Sequence, residues 1–147
     1  MCLAYQSGSK GGSVPGVYTD KIKWGIHEID VRPDGNGFWG QRIRQNNPRV
    51  DGYELKINPQ NESYYLPHPE GGYVQFENMI NSTVQDGKLV MQQKSFYHVN
   101  DMPDFAKNKV LEEARRQIDA AGAADYKVEW LVSDESAVNQ LTEFFKE

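Results

Sequence analysis

Apolar residues follow a helical spacing in the last third of the chain. They recur every three or four positions along 103–122, which predicts a helix capped by Gly122. The predicted inward face of this helix comprises Val110, Leu111, Ala114, Ile118 and Ala121. The mostly apolar segment 126–132 predicts a strand, and Ser133-Asp134-Glu135 predicts the start of a second helix. The second helix is expected to turn four apolar side chains inward: Val138, Leu141, Phe144 and Phe145.

The composition of the middle of the chain is typical of strands. Three segments are rich in β-branched and aromatic residues and are bounded by turn-forming residues: 53–57, 72–80 and 88–99. We expect them to form antiparallel strands. The pair Asp86-Gly87 is favoured in two-residue type I′ hairpin turns and is expected to join the second strand to the third. That register puts Glu77 on the same sheet face as Gln92 and Lys94.

The first fifty residues follow a less regular pattern. Residues 1–16 are rich in glycine and serine and end in Pro-Gly, so we expect a flexible leader or linker ahead of a single domain over 17–147. Segment 21–31 is ambiguous between strand and helix, and 38–45 predicts a short helix. The later elements have the order β-β-β-α-β-α. This order favours a right-handed crossover and an α/β fold with a mixed central sheet flanked by helices.

Length, charge and cysteine content exclude several classes of protein. A chain of 147 residues suits one hydrophobic core. No apolar run approaches the roughly 18 residues of a transmembrane helix, so we expect a soluble chain with no membrane partner. The single cysteine, Cys2, excludes an internal disulfide framework and a multi-thiolate metal site. The net charge of −5 argues against a strongly basic nucleic-acid binder, but not against a nuclease.

One arrangement of residues bears on chemistry. Glu77 precedes the triplet Gln92-Gln93-Lys94 on the next predicted strand, and this arrangement resembles the PD-(D/E)xK core of the restriction-endonuclease fold. Downstream, segments 113–122 and 128–132 and the final helix resemble the C-terminal half of the restriction-endonuclease-fold toxins that bacterial polymorphic toxins carry. The resemblance covers residues 50–147 and implies a restriction-endonuclease-like core.

The function that this resemblance implies is that of a metal-dependent nuclease toxin. Glu77 and Gln92 would hold Mg²⁺ or Mn²⁺ against the scissile phosphate, and Lys94 would orient the attacking water. The resemblance implies DNA as the favoured substrate and a cognate immunity protein as partner. It also implies delivery as the C-terminal part of a larger secreted effector that acts in the cytoplasm of the target bacterium. A ribonuclease that cuts tRNA and a catalytically silent binding module are the alternatives.

The chain departs from the family pattern at both acidic positions. The family has Asp where Glu77 stands and Glu where Gln92 stands, so one ligand is longer and the other is neutral. A neutral amide attracts a metal ion less than a carboxylate does. Asp86 is the first candidate for a replacement carboxylate, as a catalytic residue and metal ligand, and Glu54 is the second.

Each of these acidic residues also has a purely structural interpretation. In that interpretation, Glu77 and Lys94 form a cross-strand ion pair on a solvated sheet face. Asp86 is then a hairpin turn residue, and Glu54 is an exposed strand residue. The sequence leaves both interpretations open.

Several other side chains are expected to line the site. His98 lies on the same predicted strand face as Lys94 and is a candidate general base or phosphate ligand. Gln117, on the predicted helix 103–122, is a candidate site-lining residue. We also expect some of four basic residues to line the cleft: Arg42, Arg44, Lys107 and Arg116.

Overall fold

The computed structural model describes residues 1–5, 16–43, 47–90, 100 and 102–146. Within these residues the chain forms two sheets and three helices. The mixed sheet has the order β1 (Cys2–Tyr5), β9 (Lys127–Val132), β8 (Thr83–Lys88), β7 (Asn78–Ile80). The antiparallel sheet has the order β2 (Asp20–Trp24), β3 (His27–Asp34), β4 (Gly37–Gln41), β5 (Glu62–Pro67), β6 (Tyr73–Phe76). The helices are α1 (Pro48–Ile57), α2 (Asp104–Ala123) and α3 (Glu135–Phe145).

The mixed sheet flanked by helices confirms the predicted fold class. Strands β8 and β9 run parallel, and α2 connects them as the crossover of a strand-helix-strand unit. Helix α2 packs on β9, and α3 packs on β1 and β9. Strand β1 pairs in parallel with β9, so residues 2–5 belong to the sheet although the sequence assigns them to a leader. Residues 6–15 lie outside the described residues, and the division into leader and domain stays a prediction.

Helices α2 and α3 form where the apolar spacing predicts them, but the buried face of α2 is rotated relative to the predicted face. In α2 the buried side chains include Val110, Ala114 and Ala121, as predicted, but Gln117 also points inward. Ile118 is instead 42% exposed. The helix continues through Gly122 to Ala123 rather than stopping at the glycine. Helix α3 begins as predicted, because the Asp134 carboxylate accepts a hydrogen bond from the Ala137 N–H.

Residues 53–57, predicted as a strand, belong instead to helix α1. Asn47 caps the helix by accepting hydrogen bonds from the N–H groups of Arg49 and Val50, and Pro48 occupies the first turn. Tyr53 and Ile57 are four residues apart, so they lie on one helical face and are both buried. The cap outweighs the β-branched and aromatic composition that suggests a strand.

The short helix predicted over 38–45 is also wrong, because Gly37–Gln41 forms strand β4. Phe38 and Trp39 point to opposite faces of the sheet and pack in different hydrophobic clusters, which requires the alternation of a strand. A Cβ at Gly40 would lie 2.7 Å from Val31 Cγ1, so glycine lets the neighbouring strand approach. The ambiguous segment 21–31 forms two antiparallel strands, β2 and β3, around a turn at Gly25.

The hairpin turn predicted at Asp86-Gly87 is wrong, since both residues lie within strand β8. The turn is formed instead by Asn81 and Ser82, which have φ values of 50° and 60° and join β7 to β8. Positive φ at both central residues is the requirement of a type I′ turn. Parallel pairing of β8 with β9 continues through Gly87 to Lys88, which holds Asp86-Gly87 in extended backbone. The remainder of the third predicted strand, at 91–99, lies outside the described residues.

The chain passes from one sheet to the other at Glu77. Phe76 ends β6 in the antiparallel sheet, and Asn78 begins β7 in the mixed sheet. The main hydrophobic core draws on both sheets and on α2 and α3, with Trp39, Phe76, Trp130 and Leu141 fully buried in it. Glu77 therefore sits where the two sheets join, beside the end of β8.

Gly87 allows helix α1 to approach strand β8, and its replacement tests this packing. A Cβ at Gly87 would lie 2.3 Å from Ile57 Cδ1 and 3.1 Å from Tyr53 Cε2. We expect Gly87→Ala to lower the free energy of unfolding by about 1–3 kcal/mol, because the packed core must shift. Urea denaturation measures the change.

Gly52→Ala is the matched control on α1. A Cβ at Gly52 meets no atom within 4 Å, so alanine there is expected to raise the free energy of unfolding by about 0.5–1 kcal/mol. Equal effects of the two substitutions would contradict the packing of α1 on Gly87.

Candidate active site

An open cleft of about 1130 Å³ lies between α1, β6, β8, α2 and the turn that joins β2 to β3. Five of the sequence-predicted candidates line it: Glu54, Glu77, Asp86, Arg116 and Gln117. Lys88 and Glu113 line it as well. The cleft thus collects acidic, basic and amide side chains from two helices and from both sheets.

Strand β8 directs Asp86 and Lys88 to the same side of the mixed sheet, because residues two apart on a strand share a face. Lys88 Nζ lies 2.7 Å from Asp86 Oδ2, and the ammonium also contacts the Glu113 carboxylate on α2. Both Asp86 and Lys88 are buried. The Lys88 ammonium further lies 4.6 Å from the centre of the Trp130 ring. Lys88 is therefore held between two carboxylates and an aromatic face.

Gln117 orients the Asp86 carboxylate from α2. Its Nε2 donates to Asp86 Oδ2 at 2.6 Å, and its Oε1 accepts from Trp130 Nε1 at 2.6 Å. An indole N–H can only donate, so this contact fixes which end of the amide faces Asp86. The expectation that Gln117 lies at the site is consistent with this position. Gln117 and Glu113 are one helical turn apart on α2, so Gln117 contacts Asp86 and Glu113 contacts Lys88 on β8.

Glu77 is fixed at the junction of the sheets by contacts to its backbone and its side chain. The Gly87 N–H donates to Glu77 Oε2 at 3.3 Å, and the Glu77 and Asp86 carboxyl groups are hydrogen-bonded. The Glu77 carbonyl accepts from Arg42 Nη2 at 3.1 Å and from Asn58 Nδ2 at 3.2 Å. Arg42, which the sequence places at the cleft, is thus buried and holds the backbone instead.

Three carboxyl groups crowd together at this point, and their pKa values diverge. Burial raises the pKa of Glu77 well above its usual value, and the neighbouring Asp86 carboxylate raises it further. Burial works to raise the pKa of Asp86 too, but the Lys88 ammonium and hydrogen bonds outweigh it and lower that pKa. Burial raises the pKa of Glu54, whose carboxyl is hydrogen-bonded to Glu77. Glu77 therefore holds its proton to a higher pH than Asp86 does.

The other residues that the sequence assigns to the site have different outcomes. Gln92, Lys94, His98 and Arg44 lie outside the described residues. Arg116 lines the cleft and donates to the Tyr73 carbonyl at 3.5 Å. Lys107 is not among the residues that line it.

Lys88 and Glu113 line the cleft but are not among the site residues that the sequence predicts. The signal for Lys88 was present, because Asp86-Gly87-Lys88 is itself an acid-x-Lys triplet. The triplet was not recognised because Asp86-Gly87 was assigned to a hairpin turn, and a turn residue does not have the neighbours of a strand residue. Glu113 had no sequence signal, because its contact with Lys88 joins residues 25 positions apart.

The oxygen ligands of the cleft suit a hard cation. Within the described residues, no three or more His, Cys, Asp or Glu side chains form a group arranged to hold a metal ion. Mg²⁺ commonly uses only one or two carboxylates and takes its other ligands from water and substrate phosphates. The hydrogen-bonded pair Glu77 and Asp86 meets that smaller requirement.

Comparison of the chain with protein-family models, with curated proteins and with solved structures found no match. Among the residues that the structure describes, no helix has both the length and the apolar character needed to cross a bilayer.

The pKa of Glu77 predicts a pH-dependent effect of Glu77→Gln on stability. Above pH 4.5, the ordinary pKa of a glutamate, the unfolded chain releases a proton that folded Glu77 retains, so wild-type stability falls as pH rises toward the folded pKa. Glutamine does not titrate and can still donate to Asp86. We therefore expect the Tm of Glu77→Gln to exceed that of wild type by an amount that grows with pH above 4.5.

Thermal unfolding followed by circular dichroism between pH 4 and pH 8 measures this difference. Glu143→Gln, at an exposed position on α3, is the matched control and should change Tm little at any pH. A Tm difference for Glu77→Gln that is independent of pH would show that Glu77 is ionised in the folded protein.

Proposed function

We propose that this domain is a metal-dependent phosphodiesterase that hydrolyses nucleic acid, with DNA as the favoured substrate. The observation that carries the proposal is that Glu77, Asp86 and Lys88 meet in one open cleft. Two acids and a lysine are the groups that a PD-(D/E)xK site requires, and here Glu77 lies at the junction of β6 and β7 while Asp86 and Lys88 lie on β8. In this proposal Asp86-Gly87-Lys88 takes the part that the sequence pattern assigns to Gln92-Gln93-Lys94.

Glu77 and Asp86 are the side chains that would hold Mg²⁺ or Mn²⁺, and Glu77 would release its proton when the ion binds. The bound ion supplies positive charge against the charge that develops on the scissile phosphate, and it activates water. The chain itself keeps the ligands in place: Gln117 orients Asp86, and the Gly87 N–H orients Glu77. Glu54 supports the pair from α1 through its hydrogen bond to Glu77.

Lys88 is proposed to orient the attacking water and to stabilise charge on the phosphate. Its ammonium contacts the Asp86 carboxylate, so a phosphate held next to Asp86 lies within its reach. Glu113 holds the same ammonium from α2 and thereby limits where it can point. Lys94 stays the sequence-based candidate for the same task, and the two lysines can be separated by mutation.

The biological setting is proposed from the resemblance alone. We infer that the domain is the C-terminal part of a larger secreted effector and acts in the cytoplasm of the target bacterium. A cognate immunity protein would neutralise it in the producing cell. An inhibitor that fills the cleft needs only one interface of standard size. Lys23 and Arg116 on the cleft lining are the groups that an acidic surface of the inhibitor would contact.

Substitution of the two lysines tests the catalytic assignment. We expect Lys88→Ala to lower the rate of cleavage by on the order of 10²–10³, because a preorganised positive charge next to the phosphate is lost. Lys146→Ala, at an exposed lysine of α3, is the matched control and should retain activity. The assay incubates each variant with supercoiled plasmid and with total RNA, in Mg²⁺, in Mn²⁺ and in EDTA.

The outcomes of this assay distinguish the alternatives. Loss of activity in Lys94→Ala together with full activity in Lys88→Ala would return the role to Lys94. Cleavage of RNA alone would support the tRNA-cleaving ribonuclease, and cleavage that persists in EDTA would refute the metal-dependent reaction. No cleavage of any substrate would support a silent binding module. Lys88→Ala removes a buried charge and can therefore destabilise the fold. Asp86→Asn keeps the shape of its side chain and serves as a second test of the same site.

A further inference from the structure

The turn between β2 and β3 forms part of the cleft wall, although it is remote in sequence from the acidic residues. Residues 23–27, here called the hairpin tip, line the same cleft as Glu77, Asp86 and Lys88. Gly25 has a φ of 61°, which permits a tight two-residue connection between Trp24 and His27. The tip therefore presents its apex, Gly25 and Ile26, beside the candidate active site.

The apex of the hairpin tip is apolar where a polar residue is usual. Ile26 is 98% exposed, so it contributes almost nothing to the packing of the described residues. Turn positions favour Gly, Asn, Asp and Ser, because these residues satisfy or tolerate the turn backbone. A β-branched aliphatic side chain at this position has no evident role in the stability of the domain.

A stacked aromatic pair forms the base of the hairpin tip. The rings of Trp24 and His27 are 6.1 Å apart and inclined by 22°. Trp24 also packs edge-on against Tyr65, at a ring distance of 6.1 Å, and Tyr65 is fully buried. The tip is thereby braced against the core of the antiparallel sheet, and Ile26 is presented on a supported base.

The surroundings of the hairpin tip fit a nucleic-acid duplex. The cleft is open and has a volume of about 1130 Å³, which leaves room for a segment of a polymer. Lys23 on the tip and Arg116 on α2 both line the cleft and can contact phosphates. Aliphatic side chains inserted between base pairs unstack and kink DNA.

We infer that the hairpin tip is a DNA-unstacking element, in which Ile26 inserts between neighbouring base pairs of a duplex bound in the cleft. The Trp24–His27 stack supports the inserted side chain, and Lys23 contacts a backbone phosphate. This inference rests on the proposed nuclease function and names duplex DNA as the form of substrate that the cleft takes. Unstacking would expose the strand next to Glu77, Asp86 and Lys88.

Fluorescence of 2-aminopurine in a DNA duplex tests the inference without cleavage, because the base brightens when it is unstacked. The intact chain is mixed in EDTA with duplexes that carry 2-aminopurine at successive positions, and with the matching single strands. We expect wild type to raise the fluorescence of the duplex at one or two positions. Ile26→Ala should lose this increase and weaken duplex affinity about tenfold, while single-strand affinity stays unchanged.

Val17→Ala is the matched control, because Val17 is also an exposed aliphatic residue but is not among the residues that line the cleft. It should behave as wild type. Equal fluorescence and affinity for wild type, Ile26→Ala and Val17→Ala would overturn the inference. An effect of Ile26→Ala on RNA duplexes alone, or only on binding of a protein inhibitor, would overturn it as well.

The same design separates this inference from the proposed function. Metal-dependent cleavage by wild type and Ile26→Ala at equal rates on duplex plasmid would support the nuclease and refute the role of the tip. Unstacking that depends on Ile26, in a chain that cleaves no nucleic acid with any metal, would refute the nuclease and keep the tip as a DNA-binding element.

Discussion

The close approach of helix α1 to strand β8 at Gly87 is the contact on which the candidate site depends. Without a side chain at Gly87, Tyr53 and Ile57 pack directly against the strand, and the Tyr53 hydroxyl donates to the Leu131 carbonyl of the adjacent strand β9. The same helix carries Glu54 to the Glu77 carboxyl. Because Gly87 lies between Asp86 and Lys88, the residue that permits the packing also separates the two charged groups of the site.

The cleft brings together several ionisable side chains, and burial of such groups lowers the stability of a protein unless they are paired. Glu54, Glu77 and Asp86 are brought together, and the ammonium of Lys88 offsets part of their repulsion. Removing carboxylates from water is costly unless they are paired or hydrogen-bonded, so burial raises the pKa values of Glu54 and Glu77. Gln117 and Glu113 satisfy the remaining contacts from α2. Perturbed pKa values of this kind cluster at functional sites.

Local pattern was sufficient for the elements whose neighbours lie close in sequence. The spacing of apolar residues and the Asp134 cap predicted α2, β9 and α3, because helix periodicity and capping are local properties. Local sequence pattern gave the wrong conformation for α1 and β4. In α1 the Asn47 cap outweighed a strand-like composition, and in β4 the pairing with two neighbouring strands decided the conformation.

By itself, the sequence determined the fold class and supplied Glu54, Glu77, Asp86 and Gln117 as candidates, because their residue types limit the chemistry. Only the tertiary structure decided that these four side chains meet in one cleft and that Lys88 joins them. The strand assignment of Asp86-Gly87 depends on parallel pairing with β9, whose residues lie more than forty positions away. Side-chain contacts between residues so far apart in sequence depend on tertiary packing, which local residue spacing does not predict.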